Sequence, residues 1–224
     1  MPQVRRMHPH SRGIRLGRIT WLRSWLAQMI SFMCVVAWNM QVEPLGCDMA
    51  ELPAEEIKIV EFTEEDAEEI SELFRTVWPL ETDYPESWRK KRMYTPEQII
   101  EEMRSGYHYF GARLRGRIVG VYKAKITEKG LYGEHQTVLP SCRSSGLASA
   151  MYIQFAEYAR AHGCKRNYCN ILVGNKVGEH LMRKFGFRPW GEPYEQDEGM
   201  LVQMYERILD ESVEADDTPP TKKE

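Results

Sequence analysis

Residues 143–148, Arg-Ser-Ser-Gly-Leu-Ala, constrain the fold more than any other segment of this chain. They follow a strand-like run at residues 136–140 and open a long amphipathic stretch that predicts a helix beginning near Gly146. A strand that ends in a Ser- and Gly-rich turn and opens a helix can bind phosphate, because glycine permits close backbone approach and the first helical N–H groups point outward unpaired. Arg143 adds a positive charge and the two serines add hydroxyl donors. The same residues also fit an ordinary helix start, so this segment alone leaves both interpretations open.

Composition limits the class of protein. The chain has 224 residues, of which 42% are hydrophobic and 28% are charged, so one globular domain with extensions is the natural expectation. The net charge of −3 provides no general attraction to nucleic acid. The cysteines show no metal-ligand spacing, so we expect reduced thiols, a cytoplasmic location and no metal.

The two ends differ from the rest of the chain. In residues 1–50 the basic side chains are all arginines, and they precede an apolar run from Trp25 to Trp38 that is shorter than the ~20 residues of a membrane span. Three interpretations stay open: a disordered leader or start-site artefact with translation from Met49, a signal-like segment, and a mitochondrial-type leader. Residues 210–224 are charged and have little to bury, which predicts a disordered acidic tail.

The segment between these ends, residues 55–209, shows a regular order of strand and helix patterns. The predicted order is one strand, three helices, a three-stranded meander, a long helix, a strand, a short helix and two final strands. The predicted bounds are strands 57–62, 107–114, 117–126, 131–139, 166–173, 187–193 and 200–209, and helices 63–77, 86–93, 95–105, 146–162 and 177–185. Runs of antiparallel strands interrupted by helices indicate an α+β domain.

Two motifs in this order carry a family resemblance. The first is Val138-x-Pro140-x-x-Arg143-x-x-Gly146-x-Ala148, and the second is Asn175 followed by a short helix and Lys184-Phe185-Gly186-Phe187. Together with the strand order they resemble the GNAT superfamily of acyl-CoA-dependent N-acetyltransferases over residues 57–209. The resemblance implies a mixed, mainly antiparallel sheet of six to seven strands, flanked by helices and with a splayed central strand pair.

The resemblance also implies a co-substrate and its binding residues. Acetyl-CoA is expected to lie in the splay, its pantetheine arm on the backbone near Val138 and Leu139 and its pyrophosphate on the amides that follow. The cofactor-binding residues implied are Val138, Leu139, Arg143, Ser144, Ser145, Gly146, Leu147, Ala148 and Asn175. For Asn175, a plain helix cap is an equal alternative.

The catalytic residue implied by the resemblance is Glu134, a general base that acts directly or through water. Strand alternation predicts that Glu134 faces the same side as Gln136 and Val138, with His135 on the opposite side. An exposed strand residue is the alternative for Glu134. Relatives often carry a tyrosine as general acid where this chain has Met182, which leaves the acid unassigned, with Tyr168 and Tyr205 on strands that could reach the cleft.

The acceptor is expected to contact residues 78–94 and 190–199, which are rich in aromatic and acidic side chains. Acidic groups near a cleft favour a small cationic amine. A protein or peptide acetyltransferase and a non-catalytic acyl-CoA-binding regulatory module are the alternatives. The basic cluster 88–92 is expected to be a solvated helix face. We expect no nucleic acid partner and no membrane contact unless the leader is retained, and we leave a homodimer open.

Overall fold

The computed structural model describes residues 57–210. The leader predicted for residues 1–50 lies outside these residues, as does the predicted tail beyond Asp210. The strands are β1 Val60–Phe62, β2 Tyr107–Leu114, β3 Arg117–Thr127, β4 Gly130–Val138, β5 Arg166–Leu172, β6 Arg188–Pro189, β7 Tyr194–Asp197 and β8 Met200–Ile208. The α-helices are α1 Ala67–Val77, α2 Glu86–Lys91, α3 Pro96–Arg104, α4 Leu147–Ala161 and α5 Lys176–Lys184, with short 3-10 helices at Glu64–Asp66, Trp78–Leu80 and Pro140–Cys142.

Helix α3 shows how local sequence sets an element's start. The Gln98 amide oxygen accepts a hydrogen bond from the Thr95 backbone N–H at 2.9 Å, and the Thr95 hydroxyl accepts one from the Gln98 N–H at 3.4 Å. This reciprocal cap, followed by Pro96 at the first helical position, satisfies donors that the helix leaves unpaired and contributes about 1 kcal/mol. The predicted start of this helix is confirmed.

The strands form one mixed sheet with the path β1-β2-β3-β4-β5-β8-β6, and β7 pairs with β8. The central pair β4–β5 is parallel, and the other pairs are antiparallel. The predicted α+β class is therefore confirmed. The prediction of one strand over residues 187–193 was wrong, because pairing stops after Pro189 and a separate strand begins at Tyr194. Gly191, which has a φ of +70°, and Pro193 break the run between them.

Each face of the sheet carries a hydrophobic core. Helix α4 packs Leu147, Met151 and Phe155 on one face, against residues such as Phe110 and Leu131. Helices α1 and α3 cover the other face with an apolar stripe that includes Ile70, Phe74, Val77 and Ile99. Full burial of each such side chain contributes ~1.5–3 kcal/mol. The two cores therefore fix the sheet between layers of helices.

Residues 57–210 contain neither a membrane-spanning helix nor a cluster of metal-binding side chains. No helix in this part of the chain has the length and apolar character to cross a bilayer. Nor do its histidine, cysteine and carboxylate side chains gather into a group of three or more that could hold a metal ion.

Candidate active site

The sheet opens between its two central strands. Parallel pairing of β4 with β5 covers only Leu131–Gly133 opposite Asn167–Cys169. Beyond that point β4 continues to pair with β3 as far as Val138, and β5 continues to pair with β8 as far as Leu172. The two strands therefore diverge and leave a gap whose edges are unpaired backbone.

A β-bulge in β4 lies where the gap begins. In the pairing of β3 with β4, His135 and Gln136 together stand opposite the single residue Tyr122. A bulge bends the strand that carries it and increases its local twist. His135 has a φ of +60°, and its ring stacks on Phe74 at 4.1 Å between centroids. The buried imidazole therefore ties the bend to helix α1.

The bulge overturns the predicted alternation of side chains. Glu134 pairs with Lys123, and both lie on the α1/α3 face together with His135. Gln136 lies on the α4 face, where its amide contacts the Met151 sulfur at 3.5 Å. The prediction that Glu134 shares a side with Gln136 and Val138, opposite His135, was wrong, because the extra residue shifts the two-residue period by one.

The strand edge at Val138 is placed to bind a ligand backbone. The Leu139 N–H donates to the Val119 carbonyl at 2.9 Å, so the adjacent pair, Val138 and Gly120, is the non-hydrogen-bonded kind. The N–H and C=O of Val138 consequently point away from β3, into the gap. An extended chain with amide groups, such as a pantetheine arm, could pair there.

The turn between β4 and α4 brings donors to the mouth of the gap. Ser144 and Gly146 both adopt left-handed backbone conformations, with φ of +63° and +91°. A Cβ atom on Gly146 would meet no other atom within 4 Å, so the space above this residue is open. The first amides of α4, from Leu147 and Ala148, follow directly and carry the partial positive charge of the helix N-terminus.

Not every polar group of this turn faces outward. The Ser145 hydroxyl donates to the Cys142 carbonyl at 2.8 Å and accepts from the Leu147 N–H at 3.3 Å. It therefore stabilises the turn itself. The Arg143 guanidinium forms an ion pair with Glu81, which comes from the segment between α1 and α2. This pair joins the turn to the region predicted to hold the acceptor.

Asn175 lies across the mouth, at the start of α5. Its Oδ1 accepts a hydrogen bond from the Gly178 N–H at 3.0 Å, so it is a helix cap. Its Nδ2 lies 3.4 Å from the Tyr84 hydroxyl. Tyr84 stacks on Trp88 at 4.8 Å, and burial raises the pKa of its phenol, an effect that the Asn175 contact partly offsets. The sequence did not single out Tyr84.

Glu134, the predicted base, lies between two cations. Its Oε2 accepts from the Arg92 guanidinium at 3.2 Å, and its Oε1 lies 3.3 Å from the Lys123 ammonium. Burial raises the pKa of this carboxyl, but the Lys123 and Arg92 charges lower it more, so the pKa lies below the ordinary value. The Glu134 side chain keeps 16% of its surface exposed, enough for a water molecule or a ligand to reach it.

The sequence analysis assigned neither Arg92 nor Lys123 to the site. The cluster 88–92 was expected to be a solvated face, which was wrong for Trp88 and Arg92, since both are buried. The Arg92 guanidinium lies over the Trp88 ring at 4.1 Å. Lys123 lies on a central strand in an apolar run, and only its tertiary position shows that it faces Glu134.

The tyrosines considered as general acids take other positions. Met182 is fully buried in the α4-side core, where its sulfur lies 3.5 Å from the Cys169 sulfur. Tyr205 packs in the same core. Tyr168 lies at the paired end of β5, with its hydroxyl 2.9 Å from that of Thr127. The Tyr84 hydroxyl, by contrast, lies at the mouth of the gap beside Asn175.

Known structures share this fold. The N-acetyltransferase PaiA of Thermoplasma acidophilum, solved in complex with coenzyme A, is 19% identical over 68% of this chain and 98% of its own, with a TM-score of 0.57. A GNAT-family acetyltransferase of Streptococcus pneumoniae is 20% identical over 69% of this chain and 100% of its own, with a TM-score of 0.58. YncA of Salmonella typhimurium, a putative acetyltransferase solved with acetyl-CoA, is 15% identical over 71% of this chain and 98% of its own, with a TM-score of 0.55.

Sequence comparison adds the family. A search of curated protein sequences found no match. The model of the acetyltransferase (GNAT) family matches residues 68–187, which run from helix α1 to the end of α5 and include the whole gap. The match covers more than half of the chain. This chain therefore belongs to the acetyltransferase (GNAT) family.

Proposed function

We propose that this protein transfers the acetyl group of acetyl-CoA directly to the primary amine of a small cationic metabolite, with both substrates bound at once. The observation that carries the proposal is the gap between β4 and β5, with an unpaired strand edge on one side and the N-terminus of α4 at its mouth. Acetyl-CoA supplies the activated acetyl group, and the residues around the gap bind it and remove the proton.

Each part of the co-substrate has a complementary group in the gap. Val138 offers an N–H and a C=O to the pantetheine amides. The N–H and C=O of Leu139 are bonded to Val119 and Cys142, so Leu139 would contribute its side chain. Backbone amides of the turn between Arg143 and Ala148 offer donors to the pyrophosphate, although those of Arg143 and Leu147 already donate within the turn, to the Pro140 carbonyl and the Ser145 hydroxyl. Arg143 would exchange its Glu81 partner for a phosphate group, whose oxygens can accept two hydrogen bonds from one guanidinium as a carboxylate does. Asn175 fixes the start of α5 at the far side of the mouth.

Glu134 is the group that accepts the proton from the amine. A carboxylate has about four lone-pair positions, and the two cations and the Tyr107 side chain occupy only part of that capacity. An ammonium or a water molecule can therefore hydrogen-bond to the remainder. N–H groups on the open edge of β4 can stabilise the oxygen that becomes negative as the amine attacks.

Contacts across the acceptor side favour a small substrate. Lys91 at the end of α2 forms an ion pair with Asp197 of β7 at 2.5 Å. Asn170 of β5 donates to the Tyr194 hydroxyl at 2.7 Å. These contacts join β7 to α2 and to β5, whereas a peptide substrate would need an open groove between those elements. The segments 78–94 and 190–199 also carry exposed carboxylates, Asp83, Glu192 and Glu198, which favour a cationic acceptor.

A non-catalytic acyl-CoA-binding regulatory module is the second candidate, and Met182 is the observation that favours it. The position where relatives often carry a tyrosine has no hydroxyl, since Met182 is buried in the core. A CoA thiol is acidic enough to leave as a thiolate, so loss of that tyrosine need not stop transfer. The two candidates differ in turnover and not in binding.

The test is release of thiol from acetyl-CoA by the full chain, with polyamines, basic amino acids, aminoglycosides and basic peptides as acceptors. Gly146→Val should abolish activity because a side chain would fill the space above the turn. Gly163→Val is the matched control, since Gly163 ends the same helix with a φ of +70° and the same open surroundings. Both variants carry a similar backbone strain of ~1–2 kcal/mol.

Thiol release with one class of small amine, retained in Gly163→Val and lost in Gly146→Val, would support the proposal. Release with peptides alone would assign the protein to the peptide acetyltransferases. Binding of acetyl-CoA by calorimetry without turnover of any amine would favour the regulatory module.

A further inference from the structure

A buried ion cluster extends from Glu134 to the protein surface. The Lys123 ammonium, on a side chain with 1% of its surface exposed, lies 2.6 and 2.7 Å from the two carboxylate oxygens of Glu102 on α3. The same ammonium lies 3.3 Å from Glu134. Glu102 also accepts a hydrogen bond from the Tyr109 hydroxyl, and a quarter of its side chain is exposed. Lys123 thus joins an exposed carboxylate to the proposed base.

The surroundings of Lys123 hold its ammonium in one place. The rings of Tyr107 and Tyr94 lie 4.5 and 4.7 Å from the nitrogen and contribute cation–π attraction. The Tyr94 hydroxyl lies 3.4 Å away. A lysine can make three hydrogen bonds, and these neighbours limit the directions that they take. The ammonium is therefore shared between Glu102 at short range and Glu134 at longer range.

We propose that Lys123 and Glu102 are positioning residues for the acetyl transfer: Glu102 draws the Lys123 ammonium toward itself, so that Glu134 is held ionised but only partly neutralised. This proposal rests on the role of Glu134 in the proposed function. Without Lys123, Glu134 would face a single cation, Arg92. Without Glu102, the full charge of Lys123 would fall on Glu134.

The charge around Glu134 is set by few groups. Among the described residues, the charged and titratable side chains that act on it are Lys123 of β3, Arg92 after α2, Tyr107 and Tyr109 of β2, Tyr132 of β4 and Tyr194 of β7, and Glu102 of α3 acts through Lys123. Burial and neighbouring carboxylates raise the pKa of the Tyr107 phenol, so it stays neutral near pH 7. Lys123, Arg92 and Glu102 therefore dominate the electrostatics of the site.

The experiment compares Lys123→Met and Glu102→Gln with the wild-type full chain. Lys125→Met is the control, because Lys125 lies on the same strand over the same Tyr107 ring, at 5.2 Å, and does not contact Glu134. One readout is the pH dependence of kcat/KM. The other is the titration of the Glu134 carboxyl carbon by ¹³C NMR, with the resonance assigned by Glu134→Gln, which requires no activity.

Removal of an opposite charge at this distance shifts a carboxyl titration upward by about one unit or more. We expect Lys123→Met to move both the acid limb of the rate profile and the NMR midpoint of Glu134 to higher pH by that amount. Glu102→Gln, a nearly isosteric change, should move both to lower pH. Lys125→Met should leave both close to their wild-type values, because solvent and salt screen a more distant charge.

Midpoints of Glu134 that agree in the wild type, Lys123→Met and Glu102→Gln would overturn the proposal, whether or not the protein is active. If Lys123→Met does not fold, an unchanged midpoint in Glu102→Gln is sufficient to overturn it. Opposite NMR shifts in an inactive wild-type protein would support the electrostatic role of the pair and overturn the proposed function instead. The failures of the two proposals are therefore distinguishable.

Discussion

At the residue scale, Glu134 is expected to affect both proton transfer from the amine and the stability of the folded protein. Replacement by glutamine keeps the shape of the side chain and removes the group that takes a proton. We expect Glu134→Gln to lower kcat by about 10²–10⁴-fold, the usual contribution of a general base. The Kd of acetyl-CoA should be unchanged, since its proposed contacts are with Val138 and the turn before α4. Retention of full activity across a range of roughly three pH units around the operating pH would remove Glu134 from the mechanism.

The same variant has a predicted dependence of stability on pH. The pKa of Glu134 is lowered from 4.5 in the folded protein, so its ionised form contributes stability above pH 4.5 that is lost as the pH falls through the folded pKa. We expect Glu134→Gln to cost about 3 kcal/mol at pH 7, because a buried ion pair loses one partner. Urea unfolding should show a smaller cost at acidic pH, and equal costs at both pH values would contradict this.

The hydroxyl of Tyr84 can be tested by a single substitution. Its hydroxyl lies 3.4 Å from the Asn175 side chain, and Asn175 is one of the residues proposed to bind acetyl-CoA. Tyr84→Phe keeps the stacking on Trp88 and removes only the hydroxyl. If this hydroxyl protonates the leaving thiolate, kcat should fall about 10²–10⁴-fold, the usual contribution of a general acid, with little change in acetyl-CoA affinity. Tyr205→Phe, in the α4-side core, is the control and should retain activity.

At the scale of elements, the bulge in β4 separates the central strands. His135 anchors it by stacking on Phe74 and by edge contacts with Trp78 and Tyr94, at 5.3 and 4.9 Å. Burial, together with the nearby Arg92 and Lys123 charges, lowers the pKa of His135 well below its ordinary value, so the ring packs as a neutral aromatic group. The gap therefore depends on a side chain that faces away from it.

His135→Ala should weaken both the fold and the site. Truncation of a buried aromatic side chain costs about 3–5 kcal/mol, and we expect a cost near the lower end because imidazole is small. Acetyl-CoA should bind more weakly as well, since the bend that opens the gap loses its anchor. Phe110→Ala, which removes a ring from the opposite core, should destabilise the protein without this loss of affinity. Calorimetry at a temperature where both variants are folded distinguishes the two effects.

At the scale of the whole molecule, the site joins elements that are far apart in sequence. Two ion pairs connect the segment around α2 to other parts of the site. Glu81 pairs with Arg143 of the turn before α4, and Lys91 pairs with Asp197 of β7. A ligand that bridges β4 and α4 should therefore stabilise the folded state as a whole. Acetyl-CoA at 100 times its Kd should add about 2.7 kcal/mol and raise Tm by roughly 5–10 °C. The shift should persist in Gly163→Val and disappear in Gly146→Val, as measured by scanning calorimetry.

Local sequence patterns determined much of this architecture. The Ser-Gly turn, Gly146 at a left-handed position, the Thr95 cap and the order of strands and helices all depend on residues close together in the chain. Such features follow from backbone sterics and short-range hydrogen bonds, which a sequence displays directly. The α+β class and the family could be predicted for the same reason.

Only the tertiary structure decided the environment of Glu134. Arg92, Glu102 and Lys123 come from separate parts of the chain. The sheet and helices bring Arg92 and Lys123 within a few ångströms of Glu134, and Glu102 within reach of Lys123. The bulge at His135 likewise depends on how β4 pairs with β3, and a strict two-residue period therefore assigned the wrong face to neighbouring side chains. Electrostatic strength depends on distance and burial, and both are properties of the folded chain.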